Sequence, residues 1–186
     1  MQLLKYFGEN GVNAYGIIMY LGFVFTSVFL GYSIGVGPMI SYHYGANNKQ
    51  ELQNLLRKSM VIILITSLIM FLVSFFGADL FASIFSKGDA KLHDLTVDAM
   101  KIYAPAFLLI GSSIFISSFF TALNNGLISA LIAFLRTLVF QIGFAYLLPF
   151  IFNTGYGIFW AVFCCEAASI ILAFSFLVIK KKKYGY

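Results

Sequence analysis

The chain has 186 residues, of which 61% are hydrophobic and only 10% are charged. A soluble domain has about 25% charged residues, and the mean hydropathy here is +0.92, so an ordinary soluble domain is excluded. The net charge of +5 does not indicate a nucleic-acid-binding protein, because four of the twelve basic residues form one terminal run, Lys180 to Lys183. The composition is that of an integral membrane protein whose surroundings are a lipid bilayer.

Five apolar segments are long enough to cross a membrane. About 20 apolar residues cross a hydrocarbon core of ~30 Å, and lipid-exposed backbone must form its hydrogen bonds within the segment. We therefore predict an all-α fold, a bundle of five transmembrane helices in one membrane lobe that covers residues 1–186. The predicted spans are residues 13–42, 59–77, 102–123, 127–148 and 157–179.

The connections between the spans carry their own signals. Pro105 falls in the first turn of the third span, where proline costs least. The turn Asn124-Asn125-Gly126 predicts an antiparallel hairpin of the third and fourth spans. Residues 44–58 suggest an amphipathic helical turn before the second span, and the sequence LFASIF after Asp79 suggests an interfacial helix.

The distribution of basic residues predicts the orientation. Residues 49–58 and the run Lys180 to Lys183 hold seven of the twelve basic residues, and five spans place both on the same side. Such basic segments are cytoplasmic, so the C-terminus is expected in the cytoplasm and the acidic connection 79–98 outside. The N-terminus of the chain is then extracellular, without a visible signal peptide. We interpret this as a missing helix before residue 1, in a multi-pass protein of the plasma membrane.

A glycine-rich stretch follows the first half of the first span. Gly31 and Gly35 have the GxxxG spacing, and Ser27 extends the same small face by one turn. Small residues at this spacing let two helices approach closely in lipid. Gly37 and Pro38 follow, and we predict close helix packing and a bend at this cluster.

Two charged residues, Arg136 and Glu166, interrupt the apolar spans. A charge at the bilayer centre costs at least ~2.5–3.5 kcal/mol, so such residues usually pair or line a polar cavity. At roughly 1.5 Å per residue, the two lie about 20 Å and about 17 Å from the same loop, on antiparallel neighbours. We expect a pair that serves either as an ion or substrate pathway or coupling element, or as a static strut. Gln141 is a further polar residue in the same span.

No metal or bound cofactor is expected. Cys164 and Cys165 are adjacent within an apolar run, so they have no ligand spacing and are interpreted as small core residues. His43 and His93 lie outside the apolar runs and far apart in sequence.

Four stretches carry a resemblance to a known family: GVNAYGI (11–17), GVGPMISYHYGANNKQ (35–50), residues 134–149 with Arg136, and residues 155–169 with Glu166. In this order the chain resembles the C-terminal half of the multidrug and toxic compound extrusion (MATE) family. The glycine- and proline-containing helix end before a Tyr-Gly-Ala-Asn turn is typical of that family.

The resemblance implies a transporter of two six-helix lobes. Members export cationic or amphipathic small molecules by alternating access, driven by Na⁺ or H⁺. This chain would supply helices eight to twelve, with residues 1–10 as the remnant of helix seven, and its partner would be the missing N-terminal lobe. It would be inactive alone. Some branches hold the coupling ion on acids in helices seven and ten, but the third span has no acid between Ile102 and Leu123, so the ion stays open.

Two alternatives remain. A lipid-linked glycan flippase half would need several cations in its cavity, whereas the spans offer Arg136. A non-transporting membrane fragment or assembly subunit is the second. An enzyme is not expected, because no catalytic pairing of the Ser/Lys, Asp/Asp or His/Glu type lies in the spans.

Overall fold

The computed structural model describes residues 2–86 and 88–186. Met1 and Lys87, which belong to the predicted helix remnant and the acidic connection, lie outside the described residues. The described chain is helical with no strand. Its helices are α1 (Gln2–Gly45), α2 (Lys49–Phe76), α3 (Ala78–Ser86), α4 (Ala90–Tyr103), α5 (Phe107–Ala122), α6 (Gly126–Phe134), α7 (Gln141–Phe152) and α8 (Gly157–Tyr184).

Five helical stretches have the length and hydropathy to cross a membrane, which confirms the predicted fold class. They are Gln2–Gly45, Lys49–Phe76, Ala90–Ala122, Gly126–Phe152 and Gly157–Tyr184. Most extend beyond the apolar segments, because polar residues outside the hydrocarbon core continue the helix. Asn48 and Asn125 cap the second and fourth stretches by accepting hydrogen bonds from Glu51 N and Ile128 N.

The third helical stretch is longer than the predicted span of residues 102–123. It begins at Ala90, with Asp89 as its N-cap, and not near residue 102. Pro105 therefore lies in the middle of a continuous helical stretch and not in its first turn. A 3₁₀ turn, Ala104–Ala106, joins α4 to α5, and this local change accommodates the missing N–H of the proline.

A break in α1 lies at Gly8, outside the cluster from Gly31 to Pro38, where the bend stays a prediction. Gly8 has φ 63° and ψ −151°, whereas the torsion angles through the cluster are helical. Positive φ is readily adopted by glycine. The residues before this break pack on the α7–α8 loop, where the Phe7 ring meets the Tyr156 ring edge-on at 5.2 Å.

Helix α5 forms the centre of the bundle. It packs against α1, α2, α6 and α8, and its large side chains Phe107, Phe115, Phe119 and Phe120 are fully buried. The chain end closes one end of this core. Tyr186 packs on Phe119 with ring centroids 5.1 Å apart, and Gln53 Nε2 donates to Gly185 O at 2.8 Å. The basic start of α2 and the lysine-rich end of α8 therefore share one end of the bundle.

Candidate functional site

Arg136 and Glu166 are in contact, as their positions in the sequence predict. Arg136 Nε donates to both carboxylate oxygens of Glu166, at 2.9 Å and 3.0 Å. The two side chains are buried unequally: Glu166 is 6% exposed and Arg136 is 19% exposed. The contact is charge-assisted, which makes it stronger than a hydrogen bond between neutral groups, and one N–H is shared between both oxygens. Its role as a coupling pair remains a prediction.

A π-helical turn from Leu135 to Phe140 carries Arg136 between α6 and α7. Such turns are rare and frequently lie at functional sites. Cys165 of α8 donates its Sγ–H to Arg136 O at 3.2 Å. Helix α8 therefore contacts both the backbone and the side chain of Arg136. The sequence did not predict the hydrogen bond of Cys165 to Arg136, and no sequence pattern indicates the π-helical turn.

Glu166 is held on α8 in a region of small side chains. Ser169 Oγ donates to Cys165 O at 2.8 Å, so it does not serve the carboxylate. Ser113 of α5 lies beside Glu166, but its buried Oγ meets no hydrogen-bond partner of ordinary geometry among the described residues. The charge of Glu166 is therefore compensated mainly by Arg136, and removing Arg136 would leave a buried acid without its ion-pair partner.

A partly open cavity of about 270 Å³, with a mostly apolar lining, lies beside the pair between α1, α5 and α6. Arg136 lines it together with hydroxyl side chains from both helices of the α5–α6 hairpin. Thr121 Oγ1 donates to Ser129 Oγ at 2.7 Å, and Ser117 Oγ donates to Ser129 O at 3.1 Å. These bonds agree with the role of serines as contacts between membrane helices. They also form one wall of the cavity, which the sequence does not reveal.

The other predicted site residues lie elsewhere. Gln141 begins α7 on an exposed face, and its side chain makes no hydrogen bond to the described residues. A methyl group added at Gly31, Gly35 or Gly37 would meet no side chain or neighbouring helix of the described chain within 4 Å. Ser27 is exposed and donates to Phe23 O within its own helix. Pro38 is exposed too. The predicted close packing is thus not made within the described chain.

Comparison with known proteins identifies the fold. Two structures of a multidrug resistance MATE family transporter of the MOP superfamily match, one inward-facing with a TM-score of 0.90 and 19% identity, one outward-facing with 0.89 and 20%. A MATE protein in complex with MaL6 matches with 0.89 and 19% identity. Each match covers 99% of this chain and 41–42% of the other.

The chain therefore spans about two fifths of the length of the solved transporters that it matches. No curated protein sequence matches it. The family model MatE matches residues 1–147, which is well over half of the chain, and the members of that family are transporters. This multi-pass membrane chain belongs to the MATE family.

Proposed function

We propose that this chain is the C-terminal lobe of a cation-coupled multidrug or xenobiotic efflux antiporter that works by alternating access. The observation that supports this most is the match of 99% of the chain to about two fifths of multidrug transporters. Transporters of this architecture bind their substrates between repeated lobes. A single lobe then lacks half of the cavity, and we expect no transport by this chain alone.

We propose that Arg136 and Glu166 couple ion binding to a change of helix packing. Glu166 is nearly buried and its contact with Arg136 joins α8 to the π-helical turn. Protonation of the carboxylate, or its binding of Na⁺, would weaken its attraction to Arg136. The packing of α6–α7 against α8 would then be less stable, and the balance between the inward-facing and outward-facing states would shift, as ion-coupled alternating access requires.

The orientation is part of the proposal. Lys49 lies with its methylene groups against Gly185, so the basic residues of α2 and of the chain end lie together. Basic segments mark the cytoplasmic side. The C-terminus is then cytoplasmic, the Gln2 end of α1 is extracellular, and the partner is the N-terminal lobe, on the same or an adjacent chain. Amphipathic or cationic small molecules are the proposed cargo.

A lipid-linked glycan flippase half is supported less well. A pyrophosphate carries several negative charges and needs several cations. Among the residues that line the cavity beside the pair, Arg136 supplies the cation. One guanidinium matches one small anionic group better than a pyrophosphate.

Ethidium efflux from cells without other exporters tests the proposed function. The chain would be expressed alone, and together with the polypeptide encoded directly upstream of it. We expect faster efflux only when both are present, and collapse of the Na⁺ or H⁺ gradient should then abolish it. Equal efflux by the chain alone would contradict the lobe assignment. A correctly inserted pair without any gradient-dependent efflux would contradict the antiporter.

A further inference from the structure

The ion pair presents its two ends to different surroundings. Arg136 lines the cavity between α1, α5 and α6, whereas the more deeply buried Glu166 does not. The cavity therefore faces the positive end of the pair, although the pair as a whole is neutral. Within a low-dielectric membrane interior, such a fixed dipole acts strongly on a charge placed at its end.

The guanidinium has donors left over. Its Nε–H serves both oxygens of Glu166, and the two terminal nitrogens find no hydrogen-bond partner among the described residues. A guanidinium is a rigid fork of N–H donors with no acceptor. Its unused donors suit a group with two oxygen acceptors, such as a carboxylate or sulfonate.

The rest of the cavity wall does not offset this positive end. The lining residues are serines, a threonine, alanine and branched aliphatic side chains, with no acid among them. Thr121 and Ser118 donate their hydroxyl protons within the protein, to Ser129 and to Ser33 O, so towards the cavity their oxygens can only accept. These neutral acceptors are weaker than the full charge of Arg136. A cation placed here would meet Arg136 without a facing carboxylate, so a cationic ligand is disfavoured.

We infer that this cavity is a binding site for a small oxyanion group, a carboxylate or sulfonate, held by Arg136. Its volume of about 270 Å³ is below the usual range of drug-sized pockets, about 300–1,000 Å³. It would hold one end of an amphipathic molecule. Only the use of this site in transport rests on the proposed function. A molecule exported through it would present its acidic end, and not its cationic end, to this lobe.

Thiol modification tests whether the electrostatic potential in this cavity is positive, and it does not require transport. Ser117→Cys would be introduced into the chain in which Cys164 and Cys165 are replaced by serine. The purified chain in detergent would be treated with two methanethiosulfonates of similar size, one with a sulfonate and one with a trimethylammonium group. Each rate would be divided by the rate of that reagent with a small neutral thiol. Ser175→Cys, on an exposed face of α8, is the matched control.

We expect the sulfonate reagent to be favoured about tenfold at position 117, which corresponds to about 1.4 kcal/mol, and not at position 175. The preference should vanish in Arg136→Gln/Glu166→Gln, which removes both charges. Equal rates, faster reaction of the cationic reagent, or an unchanged preference in the double variant would overturn the site.

A ligand-protection experiment covers the case in which the double variant fails to fold. Benzoate at millimolar concentration should slow the reaction of a small neutral thiol reagent at position 117 several-fold, while tetramethylammonium should not. Protection by tetramethylammonium, or none by benzoate, would overturn the proposal. Neither result bears on efflux, so failure of this site and failure of the proposed function are distinguishable.

Discussion

The stretches Ala90–Ala122 and Gly126–Phe152 are adjacent in sequence and similar in mean hydropathy, 1.7 and 1.9, but their surroundings differ. In the first, 67% of the most apolar window is buried within the chain, and in the second only 11% is. Hydropathy therefore shows that both are apolar enough to cross a membrane but not which one forms the core. The first acts as the scaffold, and the second carries Arg136 on a helix that is mostly not covered by the described chain.

The largest effect should come from a phenylalanine of the scaffold. Phe119 is fully buried on α5, whereas Phe150 on α7 is 80% exposed. We expect Phe119→Ala to lower the free energy of unfolding by about 3–5 kcal/mol, because it leaves a cavity. Phe150→Ala should change it by less than about 0.5 kcal/mol. Unfolding in mixed micelles can be followed by exposure of Cys165, which is 2% exposed. Equal losses would remove the distinction between the two stretches.

The ion pair joins the exposed stretch Gly126–Phe152 to α8, so we expect it to stabilise the packing of that stretch. Arg136→Gln should lower the free energy of unfolding by about 3 kcal/mol, because it leaves Glu166 buried without its partner. Arg136→Met/Glu166→Leu should regain most of this loss, since apolar side chains of similar volume replace the pair. The same denaturation assay measures both. A harmless single change, or a double variant no better than the single, would show that the pair contributes no coupling energy.

Glycine-to-alanine substitutions, which add one methyl group, compare the packing at a buried and an exposed position. A Cβ at Gly111 of α5 would lie 2.5 Å from the Phe29 ring, whereas one at Gly31 of α1 meets no other part of the described chain. Gly111→Ala should cost about 1–3 kcal/mol through overpacking. Gly31→Ala in the chain alone should be neutral or stabilising by up to about 1 kcal/mol. Destabilisation by Gly31→Ala would show that this face is packed after all.

The smallest effect concerns the turn that joins the two stretches. Asn125 caps α6 through Ile128 N, and its Nδ2 donates to Tyr184 Oη at 2.7 Å. Asn125→Ala should cost about 1 kcal/mol, as is typical of lost caps. Tyr184→Phe removes only the second contact and should cost less. If Tyr184→Phe costs more than Asn125→Ala, the cap is not the main contribution of Asn125.

Much of the architecture follows from simple counting along the sequence. The apolar runs predict five membrane-length helices, and similar depths below one loop predict the contact of Arg136 with Glu166. Other features depend on tertiary contacts that periodicity does not carry. The continuation of the third stretch through Pro105 needs the 3₁₀ turn, and the break in α1 falls at Gly8, where the preceding residues pack on Tyr156.

The site itself was only half visible in the sequence. The charged residue types in apolar spans predicted the pair. Its unequal burial depends on which helices pack around each side chain, and the apolar runs do not show this. The GxxxG spacing of Gly31 and Gly35 marked a small face correctly but could not say what it faces. The chain end LVIKKKKYGY read as a basic tail, although Tyr184 and Tyr186 are both 5% exposed and part of the core.

Exchange of the two charges tests most directly whether Arg136 and Glu166 do more than hold the lobe together. Ethidium efflux and folded-protein yield would be measured in cells that carry both lobes, for the wild type, for Arg136→Glu and Glu166→Arg alone, and for the double exchange. If the pair couples transport, the exchange restores folding lost in the single variants but not efflux, because the ionisable carboxylate is then no longer in its buried position on α8. Full recovery of both folding and efflux would contradict this and make the pair a structural strut.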